Sequence, residues 1–260
     1  MNSRVVLVGV AAGLLSGLLG IGGGIVIVPG LIWAAGLDRH TASGTSLLAI
    51  LPIAVVAAIT YAVAPGGAFE PEASAIFIGG SLAGAILGAR TNARVSERAL
   101  RMLMAILSGI FGLRLIIPFG FGAGSAELAL TVVNVALLVF LGFQGGFLSG
   151  LLGVGGGAIA IAVMVALMGV SQVLAQGIAI TATIPTVIVG ALQHRRQGTL
   201  APRDGLAVGF VGMALAIPGA LVAFAVPVEW LRTVFGLFLL FGCYRMTRAL
   251  RRGPVPAPPP

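Results

Sequence analysis

Gly13-Leu-Leu-Ser-Gly-Leu-Leu-Gly-Ile-Gly-Gly-Gly24 returns later in the chain as Gly146-Phe-Leu-Ser-Gly-Leu-Leu-Gly-Val-Gly-Gly-Gly157, displaced by 133 residues. The same displacement carries Gly36 onto Gly169, Ala42 onto Ala175, Gly44 onto Gly177 and Pro52 onto Pro185. After a two-residue slip it becomes 131, aligning Pro71 with Pro202, Gly88 with Gly219, Arg101 with Arg232 and Arg114 with Arg245. Nearly the whole chain is therefore two copies of one unit, an arrangement common among transporters. The copies divide it into a first membrane repeat over 1–121, a second over 122–252 and a proline-rich, extended tail over 253–260.

Composition says where these copies reside. Of 260 residues, 58% are hydrophobic and only 8% charged, against about 25% charged in soluble proteins. All fifteen basic residues are arginines, and they stand between long apolar runs. The formal charge of +8 does not point to nucleic acid, because basic stripes with interleaved aromatics are missing. Arginines flanking apolar spans mark membrane topology instead. Cys243 is the single cysteine, so neither a disulfide framework nor a Cys/His zinc site is available, and no metal or cofactor is expected. The apolar start Val5–Gly20 has no Ala-x-Ala site after it and recurs internally, so it reads as a retained helix rather than a leader.

The arginines also orient the copies. Pro65–Glu72 carries Glu70 and Glu72 and no arginine, whereas the equivalent His194–Asp204 carries Arg195, Arg196 and Arg203. The next loop reverses the contrast: Arg90, Arg94, Arg98 and Arg101 face only Arg232. Placing equivalent loops on opposite sides puts thirteen arginines inside and two, Arg114 and Arg232, outside, whereas a parallel arrangement of eight crossings with the N-terminus inside leaves nine inside and six outside. The expected fold is thus an all-α, polytopic membrane bundle of two inverted repeats with both termini cytoplasmic. Inversion needs an odd number of crossings per copy. Val5–Leu37 must then enter and return, yet its 33 residues span only roughly 50 Å as helix. A broken, re-entrant hairpin turning at Gly20–Gly24 satisfies both demands.

Chemistry concentrates at these turns. A helix starting after Gly-Gly-Gly points unpaired N–H groups and a positive dipole end back at the turn, a site for anions without any cationic side chain. Gly22, Gly23 and Gly24, with Gly155, Gly156 and Gly157, are the candidate binding residues. Small residues also serve helix packing, but two copies at two hairpin turns favour binding. Thr45 and Ser46, and in the second copy Gln176 and Thr181, are candidate polar partners; the competing fate is back-bonding to helix carbonyls. His40 and His194 stand beside arginines and read as juxtamembrane residues. All seven acids (Asp38, Glu70, Glu72, Glu97, Glu127, Asp204 and Glu229) fall at loops or run ends, which leaves no carboxylate for ion coupling inside a span. An intramembrane enzyme has little to work with here. A membrane scaffold would use the glycines for packing alone.

Gly17-Leu-Leu-Gly-Ile-Gly-Gly-Gly24 with Pro29, Ala42-x-Gly-Thr-Ser-Leu47 and the repeated Gly150-Leu-Leu-Gly-Val-Gly-Gly-Gly157 closely resemble the sulfite exporter TauE/SafE family of bacterial and archaeal permeases. The resemblance covers nearly all of the chain before the tail. It implies transport, often outward, of small sulfur-containing or carboxylate anions such as sulfite, organosulfonates or sulfoacetate, in the cell membrane. The second half departs from the pattern, since Gly177-Ile-Ala stands where the first has Gly44-Thr-Ser.

The charge pattern yields a topology test. In a Cys243→Ser background, Glu70→Cys should react with an impermeant thiol reagent added outside and Arg196→Cys should not. External labelling at position 196 would exclude the inverted arrangement.

Overall fold

The computed structural model describes residues 3–64, 67–91, 97–117, 128–152 and 157–251. The expected repeat boundary at 121/122 and the tail 253–260 lie outside them. Ten α-helices are described: α1 Ser3–Leu19, α2 Gly24–Ala35, α3 Arg39–Val63, α4 Pro71–Thr91, α5 Glu97–Ile116, α6 Val132–Leu152, α7 Gly157–Met168, α8 Gln172–Arg196, α9 Pro202–Ala225 and α10 Val228–Arg251. Five of them, α3, α4, α6, α8 and α9, contain stretches long and apolar enough to cross a bilayer. The protein is a polytopic helical membrane protein.

Local sequence sets the starts. Asp38 caps α3, its carboxylate accepting the N–H groups of His40 and Thr41 at 2.9 and 3.1 Å. Hydrogen bonds from Thr41, side chain first and then backbone, hold that carboxyl below its ordinary range. Pro202 opens α9, where its missing N–H costs nothing. By contrast α2 and α7 have 12 residues each, about 18 Å of helix against a hydrocarbon core of ~30 Å. Neither can cross alone. α1 and α2 fold back on each other, because a side chain at Gly30 would meet Val8 and one at Gly23 would meet Ala12. Near the open end of this hairpin Arg4 lies 5.1 Å over the Trp33 ring.

The main contacts recur when α1–α5 are exchanged for α6–α10, although α5 packs on α7 more closely than α10 does on α2. α1 packs on α9 as α6 does on α4; α3 meets α9 as α8 meets α4; α3 packs on α8, and α5 on α10. Registers give the directions. Gly9, Gly13 and Gly17 lie against Val208, Gly212 and Ala216, while Gly80, Gly84 and Gly88 lie against Val139, Phe143 and Phe147. Both pairs therefore run parallel. α3 and α8, equivalent in the sequence repeat, run antiparallel, with Leu47 against Gly190 and Tyr61 bonded to Gln176. α5 and α10 are antiparallel too, with Gly109 near Cys243 and Ile116 against Gly236.

Close backbone approach drives the two parallel pairs. A methyl group at Gly13 would collide with the Gly212 carbonyl, and one at Gly84 with that of Phe143. With lipid outside and no hydrophobic drive between helices, such contact through small residues is what holds a membrane bundle together. Large apolar side chains including Trp33, Val63, Phe140 and Phe210 remain exposed around the bundle, as a lipid-facing surface requires.

Gly13→Val and Gly84→Val should each destabilise the protein by about 3 kcal/mol or more, since the obstructing atoms are backbone and overpacking alone costs 1–3 kcal/mol. A methyl group at Gly79, also on α4, would meet nothing within 4 Å, so Gly79→Ala should gain roughly 0.5–1 kcal/mol. Thermal unfolding in detergent separates the two classes.

Candidate functional site

The first glycine turn is buried at residues 20–24. Gly20, Gly22 and Gly23 have φ of 67, 76 and 73°, left-handed backbone open to glycine with little strain. Gly23 is the N-cap of α2 and no side chain caps it. The Gly23 carbonyl accepts from the N–H groups of Val26 and Ile27 at 3.0 and 3.1 Å. Among the described residues, nothing accepts from the N–H groups of Gly22, Gly23 or Gly24. Buried donors at a helix start with no acceptor among the described residues are unusual, and here three lie in a row.

Gly155 and Gly156 of the second turn lie outside the described residues. Gly157 opens α7, and a Cβ there would stand 4.0 Å from the Gly20 carbonyl oxygen and 3.5 Å from the Ala179 methyl. The start of the second half-helix therefore abuts the first turn. Beside it lies a cavity of about 20 Å³ lined by Gly157, Ser149, Thr183, Thr186 and Ser81, among others. That is room for roughly one water.

Polar side chains gather at the first turn and at the start of α7. Gln176 is fully buried, and a side chain at Gly20 would strike its Cβ at 2.6 Å. Tyr61, 1% exposed, places its hydroxyl 2.8 Å from both the Gly17 carbonyl and the Gln176 amide. A phenol has one proton. Both contacts are satisfied together only when Tyr61 donates to Gly17 and the Gln176 NH₂ donates to Tyr61, an amide orientation opposite to the assigned one. The other amide atom of Gln176 is left unbonded in either orientation. Thr183 puts its methyl beside Gly22 and donates its hydroxyl to the Ala179 carbonyl at 2.9 Å.

Other candidates are placed elsewhere. The fully buried Thr45 hydroxyl accepts the N–H of Ala201 at 2.9 Å, so it ties the α8–α9 loop to α3. His194 reinforces that tie: it is 2% exposed, its ring Nδ1 2.9 Å from the Thr199 hydroxyl. Ser46 donates to the Ser43 carbonyl at 2.8 Å and Thr181 to that of Gly177 at 2.8 Å, the back-bonded state. Gln176 and the glycines come together; Thr45, Ser46 and Thr181 do not join them.

Three features escaped the sequence reading. Tyr61 had no motif to flag it. Ser16 and Ser149 did: they occupy the same position of the repeated motif, and both are buried with hydroxyls that bond to no described group. Gln172 lies one turn from Gln176 on the same side of α8, fully buried with both amide atoms unbonded. Each such group costs about 1–3 kcal/mol in a dry interior.

The family model described as Sulfite exporter TauE/SafE matches residues 1–115 and 138–260. Over 215 residues the chain is 24% identical to the probable membrane transporter protein YunE of Bacillus subtilis (strain 168), covering 75% of this chain and 78% of that one. Over 114 residues it is 32% identical to the probable membrane transporter protein YdhB of the same organism, covering 44% and 46% respectively.

Tyr61→Phe should lower stability by about 1–3 kcal/mol, because it strands the Gly17 carbonyl and the Gln176 amide. Ser16→Ala and Ser149→Ala remove hydroxyls that have no protein partner and should leave stability unchanged or raised. Denaturant titration checks both; a serine loss as large as the tyrosine loss would show that those hydroxyls are bonded in the protein.

Proposed function

The chain belongs to the sulfite exporter TauE/SafE family, a family of membrane permeases, and from that premise we propose that it carries small sulfur-containing anions such as sulfite, organosulfonates or sulfoacetate. We further read the site as the paired glycine turns. The observation that supports this reading is the cluster of buried N–H groups at Gly22–Gly24 with no acceptor among the described residues, with the start of α7 against it.

An anion inside a bilayer must exchange its hydration shell for other donors, since unpaired charge there is very costly. Amide dipoles at half-helix starts supply that exchange. They also bind weakly enough for release, where a buried guanidinium would hold too tightly. Gln176 adds a neutral polar group at the first turn, and Ser149 adds one at the second. The cavity between α4, α6 and α8 is one water in size, smaller than any of these anions. Binding therefore requires the two halves to part, which suits rocking of one repeat against the other. The antiparallel run of α3 and α8 supports inversion of the repeats, with both termini cytoplasmic in a bacterial or archaeal membrane.

Export needs no coupling acid in this scheme. An inside-negative potential drives a monovalent anion outward by about 2.3 kcal/mol per 100 mV. The acids at the described helix starts, among them Asp38, Glu72, Asp204 and Glu229, then couple no ion.

Gly23→Val should abolish binding at the glycine turns, and flux with it: φ is 73° there, and the new Cβ would stand 2.9 Å from the Ala12 carbonyl oxygen. Gly22→Val should do the same through its contacts with Ile50 and Thr183. Proteoliposome flux and thermal shift against sulfite, sulfonates, sulfate and small carboxylates provide the check. Flux of carboxylates alone would reassign the substrate, and absence of all anion flux would favour a scaffold. A folded Gly23→Val protein with parental affinity would place the site elsewhere.

A further inference from the structure

Arg114 and Arg232 are the two arginines that the charge pattern leaves outside. They belong to different halves of the chain, one in the last turn of α5 and one in the second turn of α10. Both line a single cavity of about 280 Å³, together with Glu229, Thr233 and the apolar side chains of Val165 and Ala166 on α7. That volume equals roughly nine waters at ~30 Å³ each, ample for an organosulfonate. α7 connects this cavity to the glycine turns: Val165 is eight residues beyond Gly157, about 12 Å along the helix.

We propose that this cavity is a second anion site, an outer vestibule that receives a sulfonate- or sulfite-like oxyanion after it leaves the glycine turns. The proposal rests on the permease reading above and extends it to the exit. Both arginines already make other interactions in the protein, but each guanidinium carries five N–H donors in a planar fork, so donors remain for the oxygens of such a group. The negative dipole ends of α5 and α7, which terminate nearby, subtract from their charge. Glu229 subtracts from the attraction and so sets an affinity compatible with release. Two weak sites in series allow passage without either becoming a trap.

The test uses the full-length protein in phosphatidylcholine nanodiscs, titrated calorimetrically with sulfoacetate. The parent should show two sites and Gly23→Val one. In the Gly23→Val background, Arg114→Gln or Arg232→Gln should weaken the remaining site about tenfold, the scale of one charged hydrogen bond. Glu229→Gln should tighten it, a change of sign that a merely structural salt bridge would not give. Thr233→Leu fills the cavity without altering charge and should also weaken binding, which covers the case of an arginine variant that fails to fold. A remaining site unmoved by all of these changes, or none at all, overturns the vestibule. If Gly23→Val keeps both sites, the glycine-turn assignment fails while the vestibule stands. The source of the anion is tested with phosphatidylglycerol: arginine variants that lose retained lipid but keep parental sulfoacetate affinity would assign the cavity to a headgroup and refute the proposal.

Discussion

A peptide N–H carried to the middle of a bilayer has no water to bond, and each one left unpaired costs several kcal/mol. Most of this chain obeys that constraint through long continuous helices. The starts of the 12-residue helices α2 and α7 are where that constraint bears hardest, since the first donors of any helix lack intrahelical acceptors. Everything else in the bundle follows from housing those two starts. Short half-helices need flanking partners, so α1 packs on α9 and α6 on α4 with backbones in contact at Gly13 and Gly84. The turns need room for left-handed backbone, so glycine occupies Gly22 and Gly23. Donors gathered in this way form an electropositive spot with no charged side chain.

The two halves share one packing scheme but furnish their turns differently. Tyr61 and Gln176 crowd the first turn, whereas Ser149, Thr183 and the Ser81–Thr186 pair, with hydroxyls 3.0 Å apart, line the cavity at Gly157, the start of α7. A symmetric backbone with asymmetric side chains suits a carrier that presents one site to two solutions. Tyr61 also links the halves directly, since its hydroxyl bonds α1 through Gly17 and α8 through Gln176.

The architecture was legible in the sequence because its causes are periodic and compositional. The 133-residue repeat, the apolar run lengths and the glycine turns each leave marks that survive without coordinates. The half-helices follow because Val5–Leu37 is too short for two full crossings. The side-chain partners were harder to read. Thr45 and Ser46 share a motif, but one caps a loop 156 residues away and the other bonds its own helix; spacing alone does not say which way a hydroxyl turns. Tyr61 acts through contacts 44 and 115 residues distant, which no local pattern encodes. The paired Ser16 and Ser149 were visible in the repeat but overshadowed by the glycines beside them. Gly155 and Gly156 lie outside the described residues, so the second turn rests on Gly157 and its neighbours.

Amide nuclear magnetic resonance of glycine-¹⁵N-labelled protein reports most directly on backbone donors holding an anion. Addition of sulfite or sulfoacetate should move the amide proton signals of Gly22, Gly23 and Gly24 downfield, together with those of the second turn, while Gly79 on the lipid-facing side of α4 stays fixed. Saturable binding with those amide signals unmoved would contradict the account.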